Sequence, residues 1–162
     1  MEFEITQVID APLDAVEPML FDAEFVAATS ALPRLDDCLL ISVKRDDGEI
    51  RAQIHRRFGA DLSGAARRAI DPAKLTWTEH VTYDTNNRRS RHVIDPDHYA
   101  DRLKASYTSV LVSDEFVTRR TTTGSLSVRA PFVARKIEAA IIDGLDEYAR
   151  AEAVLLGKWA AR

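Results

Sequence analysis

Apolar side chains at Val133, Ile137, Ala140, Ile141, Leu145, Tyr148, Leu155, Leu156 and Trp159 recur mostly three and four residues apart. That spacing predicts one amphipathic helix from Pro131 to Trp159. At 1.5 Å per residue it would run roughly 40 Å, long for a globular protein. One greasy face over such a length needs a broad concave cover. The pattern therefore predicts a sheet wrapped around a helix, a shape that often leaves a cavity.

Upstream of the helix the period is mostly two. Phe3, Ile5 and Gln7 share one side of a first strand, with Glu2, Glu4 and Thr6 on the other. Asp10-Ala11-Pro12 stops that strand, and Pro12 presets a helical φ for the segment containing Leu13, Val16, Met19 and Leu20. Asp22 is placed to cap a second short helix carrying Phe25, Val26 and Ala28. Strands are then predicted over Leu39–Lys44, Glu49–Phe58 and Leu75–Tyr83, with turns at Asp46-Asp47-Gly48 and Asn86-Asn87. Arg88–Ile94 is polar enough to read as an edge strand or as irregular chain. Leu103–Ser113 and Glu115–Arg129 complete about seven strands, with Gly124 marking a bulge in the last. The fold class is α+β: a curved antiparallel sheet, two short helices after the first strand, and a long C-terminal helix. No repeat or linker divides residues 1–162, which read as a single domain.

Composition adds mainly exclusions. With 162 residues the chain is the size of one domain. A net charge of −4 gives no electrostatic case for nucleic acid. The single cysteine, Cys38, excludes an internal disulfide and a thiolate-rich metal site, and fits a reducing compartment. The N-terminus is acidic where a signal peptide would be basic, and no apolar run approaches the length of a membrane span. These features predict a cytoplasmic protein.

The element order, with Val8-Ile9-Asp10-Ala11-Pro12-Leu13 at one end and Gly124 to Val133 followed by Lys136-Ile137-Glu138 at the other, resembles the helix-grip fold of the START and Bet v 1 superfamily. The second motif resembles a START-like bacterial family of unknown function, with Ala130-Pro131 where that family has a Val-Pro-like step. The resemblance implies a cavity between sheet and terminal helix that holds lipids, sterols, polyketides or other apolar compounds. It does not choose among carriers, sensors, cyclases and co-chaperones.

The chemistry that stands out is charge on strand faces that otherwise read apolar. Parity places Arg56 with Ile50, Ala52, Ile54 and Phe58, and Glu79 with Leu75, Trp77, Val81 and Tyr83. Arg120 falls with Phe116, Thr118, Thr122, Leu126 and Val128. Isolated buried charges are expensive, so they must pair, reach water or meet a polar ligand head. One reading pairs Arg56 with Glu79 and leaves Arg120 for a carboxylate or phosphate. The other puts all of them at wet strand ends.

His55, His80, His92 and His98 show no metal-binding spacing, and no metal or cofactor is expected. His55 and His80 fall opposite the apolar stripes. Asp95-Pro96-Asp97-His98-Tyr99 reads as turn chemistry, with proton transfer the sharper alternative. No serine lies in a nucleophile-elbow pattern. Arg67 and Arg68, in an alanine-rich segment, could lie over a cavity mouth and touch an anionic head group or, transiently, a membrane; scattered arginine doublets are also ordinary solvated faces. Gly144 could make room for ligand or let Trp77 pack close.

These readings favour binding, transport or sensing of an apolar small molecule, including one with an anionic head group, in a cavity of several hundred Å³. The candidate lining residues are Ile54, Arg56, Trp77, Glu79, Tyr83, Tyr107, Arg120, Ile137, Ile141 and Gly144. A cyclase or dehydratase using Glu79 and Tyr83 ranks second, because a spacing of four along a strand separates them by roughly 13 Å. An interaction module with a filled interior ranks third.

Overall fold

The computed structural model describes residues 1–59 and 70–162. Strand β1 (Glu2–Ile9) is followed by helices α1 (Leu13–Val16) and α2 (Ala23–Ala28), each extended by a 3-10 turn. Six strands follow: β2 (Leu35–Asp46), β3 (Glu49–Phe58), β4 (Thr76–Asp84), β5 (Arg89–Pro96), β6 (Leu103–Asp114) and β7 (Val117–Val128). Helix α3 (Ala134–Ala160) closes the chain. The seven strands form one antiparallel sheet in the order β1-β7-β6-β5-β4-β3-β2. This is the α+β helix-grip architecture that the pattern predicts.

The local signals act as expected at several junctions. Asp22 caps α2 by accepting from the Phe25 amide at 2.8 Å. Gly48 turns the β2–β3 hairpin at φ +75°, in the left-handed region that glycine enters without penalty. Asp84 accepts from the Asn86 and Asn87 amides at 2.9 and 3.1 Å, which organises the β4–β5 turn. Both terminal motifs prove structural. Ala11 and Leu13 are buried, and the Ala11 carbonyl accepts from the buried Thr118 hydroxyl at 2.9 Å. Glu138 of the Lys-Ile-Glu motif is buried and accepts from the Val128 amide at 2.9 Å, tying the first turn of α3 to the end of β7.

Helix α3 lies on the concave face with its C-terminal half most deeply packed. Leu156 is fully buried beside Ile9, Val16 and Phe25, and Trp159 meets the Phe25 ring edge-on at 5.5 Å. A second core of Leu13, Phe21, Ile50, Ala52, Ile54, Val81 and Leu111 fills the space between the early helices and strands β3, β4 and β6. Removing these side chains from water is the main favourable term in folding.

Three expectations need correction. Strand β5 is no edge: it lies in the middle of the sheet between β4 and β6. Its polarity comes from Ser90 and His92, which face inward, with Arg89 and Arg91 exposed on the other face. Gly124 marks no bulge, since its register with Phe3 and Tyr107 runs unbroken. A Cβ there would stand 2.5 Å from the Tyr107 Cβ, so the glycine serves close approach. The last hairpin turns at Glu115-Phe116, with Glu115 at φ +56°, and Phe116 points out to solvent rather than inward.

Candidate functional site

Arg56, Glu79 and Arg120 all sit on the concave face, as alternation requires, and line its interior. Arg56 Nε donates to Glu79 Oε2 at 2.8 Å, so the predicted pair forms. Glu79 is 3% exposed and is surrounded by donors. Its Oε1 also accepts from His92 Nδ1 at 2.6 Å and from the Tyr107 hydroxyl. Burial by itself would raise the carboxyl pKa; the Arg56 charge and the hydrogen bonds from His92 and Tyr107 outweigh it and hold the group well below the usual range. Glu79 is therefore a carboxylate at neutral pH. Because a carboxylate only accepts, His92 must carry its proton on Nδ1. Nε2 is then directed at Ser90 Oγ, 2.7 Å away. The imidazole is further fixed by stacking on the Tyr107 ring, with centroids 4.2 Å apart.

Arg120 answers a different partner from the one expected. Its guanidinium donates to Glu152 on α3 and to Gln7 Oε1 on β1, so its carboxylate comes from this chain. Gln7 passes the connection on by donating to the Ala149 carbonyl. Tyr148 joins the two ion pairs: its hydroxyl donates to Glu152 Oε1 at 3.0 Å and accepts from Arg56 Nη1 at 3.4 Å. One hydrogen-bonded chain thus runs from Ser90 on β5 to Gln7 on β1 and crosses the helix on the way. Burial pushes the Tyr107 and Tyr148 hydroxyls above their usual pKa, and the neighbouring carboxylates reinforce the shift. Among the described residues no buried side-chain polar atom lacks a hydrogen-bond partner. Such satisfaction is what a buried polar cluster requires.

This cluster borders a cavity of about 120 Å³ between the sheet and α3. Of the expected lining residues, Ile54, Arg56, Glu79, Tyr83, Tyr107 and Arg120 do line it. Trp77, Ile137, Ile141 and Gly144 do not. Trp77, second residue of β4 and register partner of Arg56 and Pro96, does not itself reach the cavity. Ile137 and Ile141 belong to the first turns of α3, whereas the cavity lies under Leu145 to Glu152. A Cβ on Gly144 would meet the Arg34 side chain at 3.6 Å, so neither ligand nor Trp77 occupies that space. Tyr83 is turned to Glu17, to which its hydroxyl donates, rather than to Glu79. The volume is smaller than the several hundred Å³ expected, because the paired charges and aromatic side chains occupy much of the concave face.

Sequence reasoning missed Gln7, Ser90, His92, Tyr148 and Glu152 as site residues. Glu152 carried a usable signal, since it falls four residues after Tyr148 and four before Leu156, inside the apolar stripe. His55 lies on the opposite face and bonds Asp97 at 2.8 Å; of the Asp95–Tyr99 stretch, Asp95 and Pro96 end strand β5, pairing with Thr78 and Trp77, and only Asp97 onward is outside the sheet. Among the described residues no His, Cys, Asp and Glu group could hold a metal ion, and no helix is long and apolar enough to cross a membrane. Arg67 and Arg68 lie outside the described residues.

The architecture has counterparts among solved structures. The protein TTHA0849 from Thermus thermophilus superposes with a TM-score of 0.67 at 17% identity, covering 99% of this chain and 97% of that one. The Zhui aromatase/cyclase from Streptomyces sp. R1128 gives 0.66 at 16% identity, over 100% and 94% of the two chains. A START superfamily protein from Mycobacterium smegmatis gives 0.60 at 13% identity, over 99% and 97%. At these identities the likeness is one of fold, and it establishes the START-like helix-grip. No curated protein matches the sequence. The model of the family described as "Protein of unknown function (DUF2505)" matches residues 4–160, nearly the whole chain, and the chain belongs to that family.

Proposed function

We propose that the chain binds a small hydrophobic molecule in the cavity between sheet and α3, as a carrier or sensor. The observation that supports this most is the mixed lining, largely apolar with a few fixed polar groups. Phe3, Ile5, Leu20, Phe21, Val81 and Leu111 supply apolar lining, interleaved on the sheet with hydroxyls and ion pairs whose buried polar atoms are already partnered: Val81 sits beside His92 and Leu111 beside Arg120. A few fixed polar groups in an apolar pocket are the usual means of orienting a small ligand. The fold shared with a START superfamily protein and an aromatase/cyclase agrees with hydrophobic-ligand binding.

Size and charge narrow the ligand. An enclosed apolar cavity of about 150 Å³ takes up benzene. The present volume of about 120 Å³ suits a single ring or a short acyl chain, and a sterol or two-chain lipid would exceed it. Arg56 and Arg120 each have a carboxylate partner, so the ligand is neutral rather than anionic. The free, buried Cys38 agrees with a reducing, cytoplasmic setting. Native mass spectrometry of gently purified protein tests the proposal: a small neutral adduct is expected, and a bare chain that also takes up no added single-ring compound would defeat it.

A second reading, an enzyme of the cyclase or dehydratase kind, draws support from the Glu79, His92 and Tyr107 cluster at the cavity wall. Glu79 is too strongly held as a carboxylate to be an effective base, so His92 takes that role in any such chemistry.

A further inference from the structure

Three cavity-facing side chains form a linear relay that ligand binding does not require. Glu79 Oε1 accepts from His92 Nδ1 at 2.6 Å, and His92 Nε2 meets Ser90 Oγ at 2.7 Å. The order hydroxyl, imidazole, carboxylate is that of a nucleophilic triad, which is recognised by geometry and roles rather than by sequence position. Here the sheet supplies the geometry. Ser90 and His92 are two apart on β5 and so share its inner face; their register partners on β4 are Tyr83 and Val81, and Glu79, the partner of Ile94, reaches His92 from the diagonal position. Arg56 and Tyr107 fix the carboxylate, and the Tyr107 ring fixes the imidazole plane. With Nδ1 protonated, His92 Nε2 is the acceptor that faces the Ser90 hydroxyl at 2.7 Å.

A second hydroxyl lies where developing charge would need it. Ser109 is the register partner of Ser90 across β5 and β6, and both line the cavity. Directly opposed residues place their Cβ atoms about 4.5–5.5 Å apart. Ser109 Oγ is 2.7 Å from Thr122 Oγ1. When Thr122 donates in that contact, the Ser109 proton is free to point at an oxyanion formed beside Ser90.

We propose that Ser90 is a nucleophile that accepts the acyl group of a small neutral ester held in the cavity. Ser90 Oγ attacks the carbonyl carbon while its proton passes to His92 Nε2, and Ser109 donates to the carbonyl oxygen as that oxygen becomes negative. The carbon–oxygen bond to the leaving alcohol breaks, and the alcohol departs with the proton from His92. Water then attacks the Ser90 ester and gives its proton to His92; Ser90 leaves with that proton and the acid is released. The cavity of about 120 Å³ limits the class to short acyl chains or single-ring alcohols, and the paired arginines favour uncharged substrates. This goes beyond binding, because a carrier needs neither the relay nor the opposed hydroxyl.

The test uses methanesulfonyl fluoride, a reagent smaller than one aromatic ring that sulfonylates activated serines with loss of fluoride. The intact protein should gain one sulfonyl group per chain, mapped to Ser90. Ser90→Ala should abolish that adduct, and His92→Asn should slow it about a hundredfold or more, as for loss of a general base. Glu79 is a positioning residue, so Glu79→Ala should slow labelling while Glu79→Asp restores part of it; disturbed packing alone would not give that rescue. Melting curves of each variant confirm that a folded chain was tested. Failure to label Ser90 in the folded wild-type protein, or labelling of other residues that persists unchanged in Ser90→Ala, overturns the nucleophile, even where a neutral ligand copurifies and ligand binding stands.

Discussion

Arg56 on β3 donates to the hydroxyl of Tyr148 on α3 at 3.4 Å, and its guanidinium carbon lies 5.8 Å from the centre of that ring. This contact joins a charge fixed in the sheet to a helix that brings its own carboxylate, Glu152. The two buried ion pairs therefore behave as one unit. Burial lowers the tendency of Arg56 to hold its proton, and the surrounding Tyr148 and Glu79 more than restore it.

Removal of the Tyr148 hydroxyl should uncouple the halves. Tyr148→Phe leaves Arg56 short of one acceptor and Glu152 short of one donor, so about 1–3 kcal/mol of stability should be lost. Urea denaturation monitored by circular dichroism gives the value. Loss of less than about 0.5 kcal/mol would mean that the hydroxyl contacts are not maintained in solution.

A double-mutant cycle on Arg56 and Glu79 should show strong coupling. Removing one member leaves a buried charge without its partner and should cost about 3–5 kcal/mol, whereas the double variant should lose less than the sum of the two, with a residual loss because His92 and Tyr107 are left without their Glu79 acceptor. Additive losses in Glu79→Leu, Arg56→Met and the double variant would refute the buried pair.

Stability should fall at both ends of the pH range. Glu79 has a folded pKa well below its unfolded value, so the unfolded chain takes up protons first as pH drops. Its contribution is complete above about pH 4.3 and erodes below that value. Tyr83, Tyr107 and Tyr148 are shifted upward, so the unfolded chain releases their protons first on the alkaline side. Stability should therefore decline above about pH 10. Chemical denaturation across pH should show both limbs, and Glu79→Gln should flatten the acid one.

How much of this is visible in the chain itself depends on the kind of signal. Strict alternation along β3, β4 and β7 places Arg56, Glu79 and Arg120 indoors, because a strand has only two faces. The partners of Arg120 are harder to read, since Gln7 and Glu152 reach it from elements far away in sequence, and only packing brings them together. Strand β5 misleads for a physical reason. Ser90 and His92 give its inner face the polarity of an exposed edge, and only the hydrogen bond to Glu79 and the stacked Tyr107 make that polarity tolerable inside. Cavity volume is least legible, because it is what remains after side chains of several elements have packed.

The two glycines tested by these readings should respond in opposite directions. Gly124→Ala would push a methyl into Tyr107 and the Ser106 carbonyl, both within 2.6 Å of the new carbon, and should destabilise. Overpacking of this sort costs typically about 1–3 kcal/mol. Gly144→Ala meets only Arg34 at ordinary contact distance inside a helix. It should stabilise by about 0.5–1 kcal/mol through helix propensity and leave ligand uptake unchanged. Thermal melts of both variants decide the point, and lost uptake in Gly144→Ala would return that position to the cavity.

The central claim, a neutral small-molecule site under the C-terminal half of α3, is tested most directly by methyl NMR during titration with p-cresol. Saturable shifts at the methyls of Ile5, Ile54 and Leu111, with Ile137 and Ile141 unmoved, are the predicted result. Absence of saturable shifts, or shifts confined to the outer sheet face at Leu39 and Ile41, would contradict it.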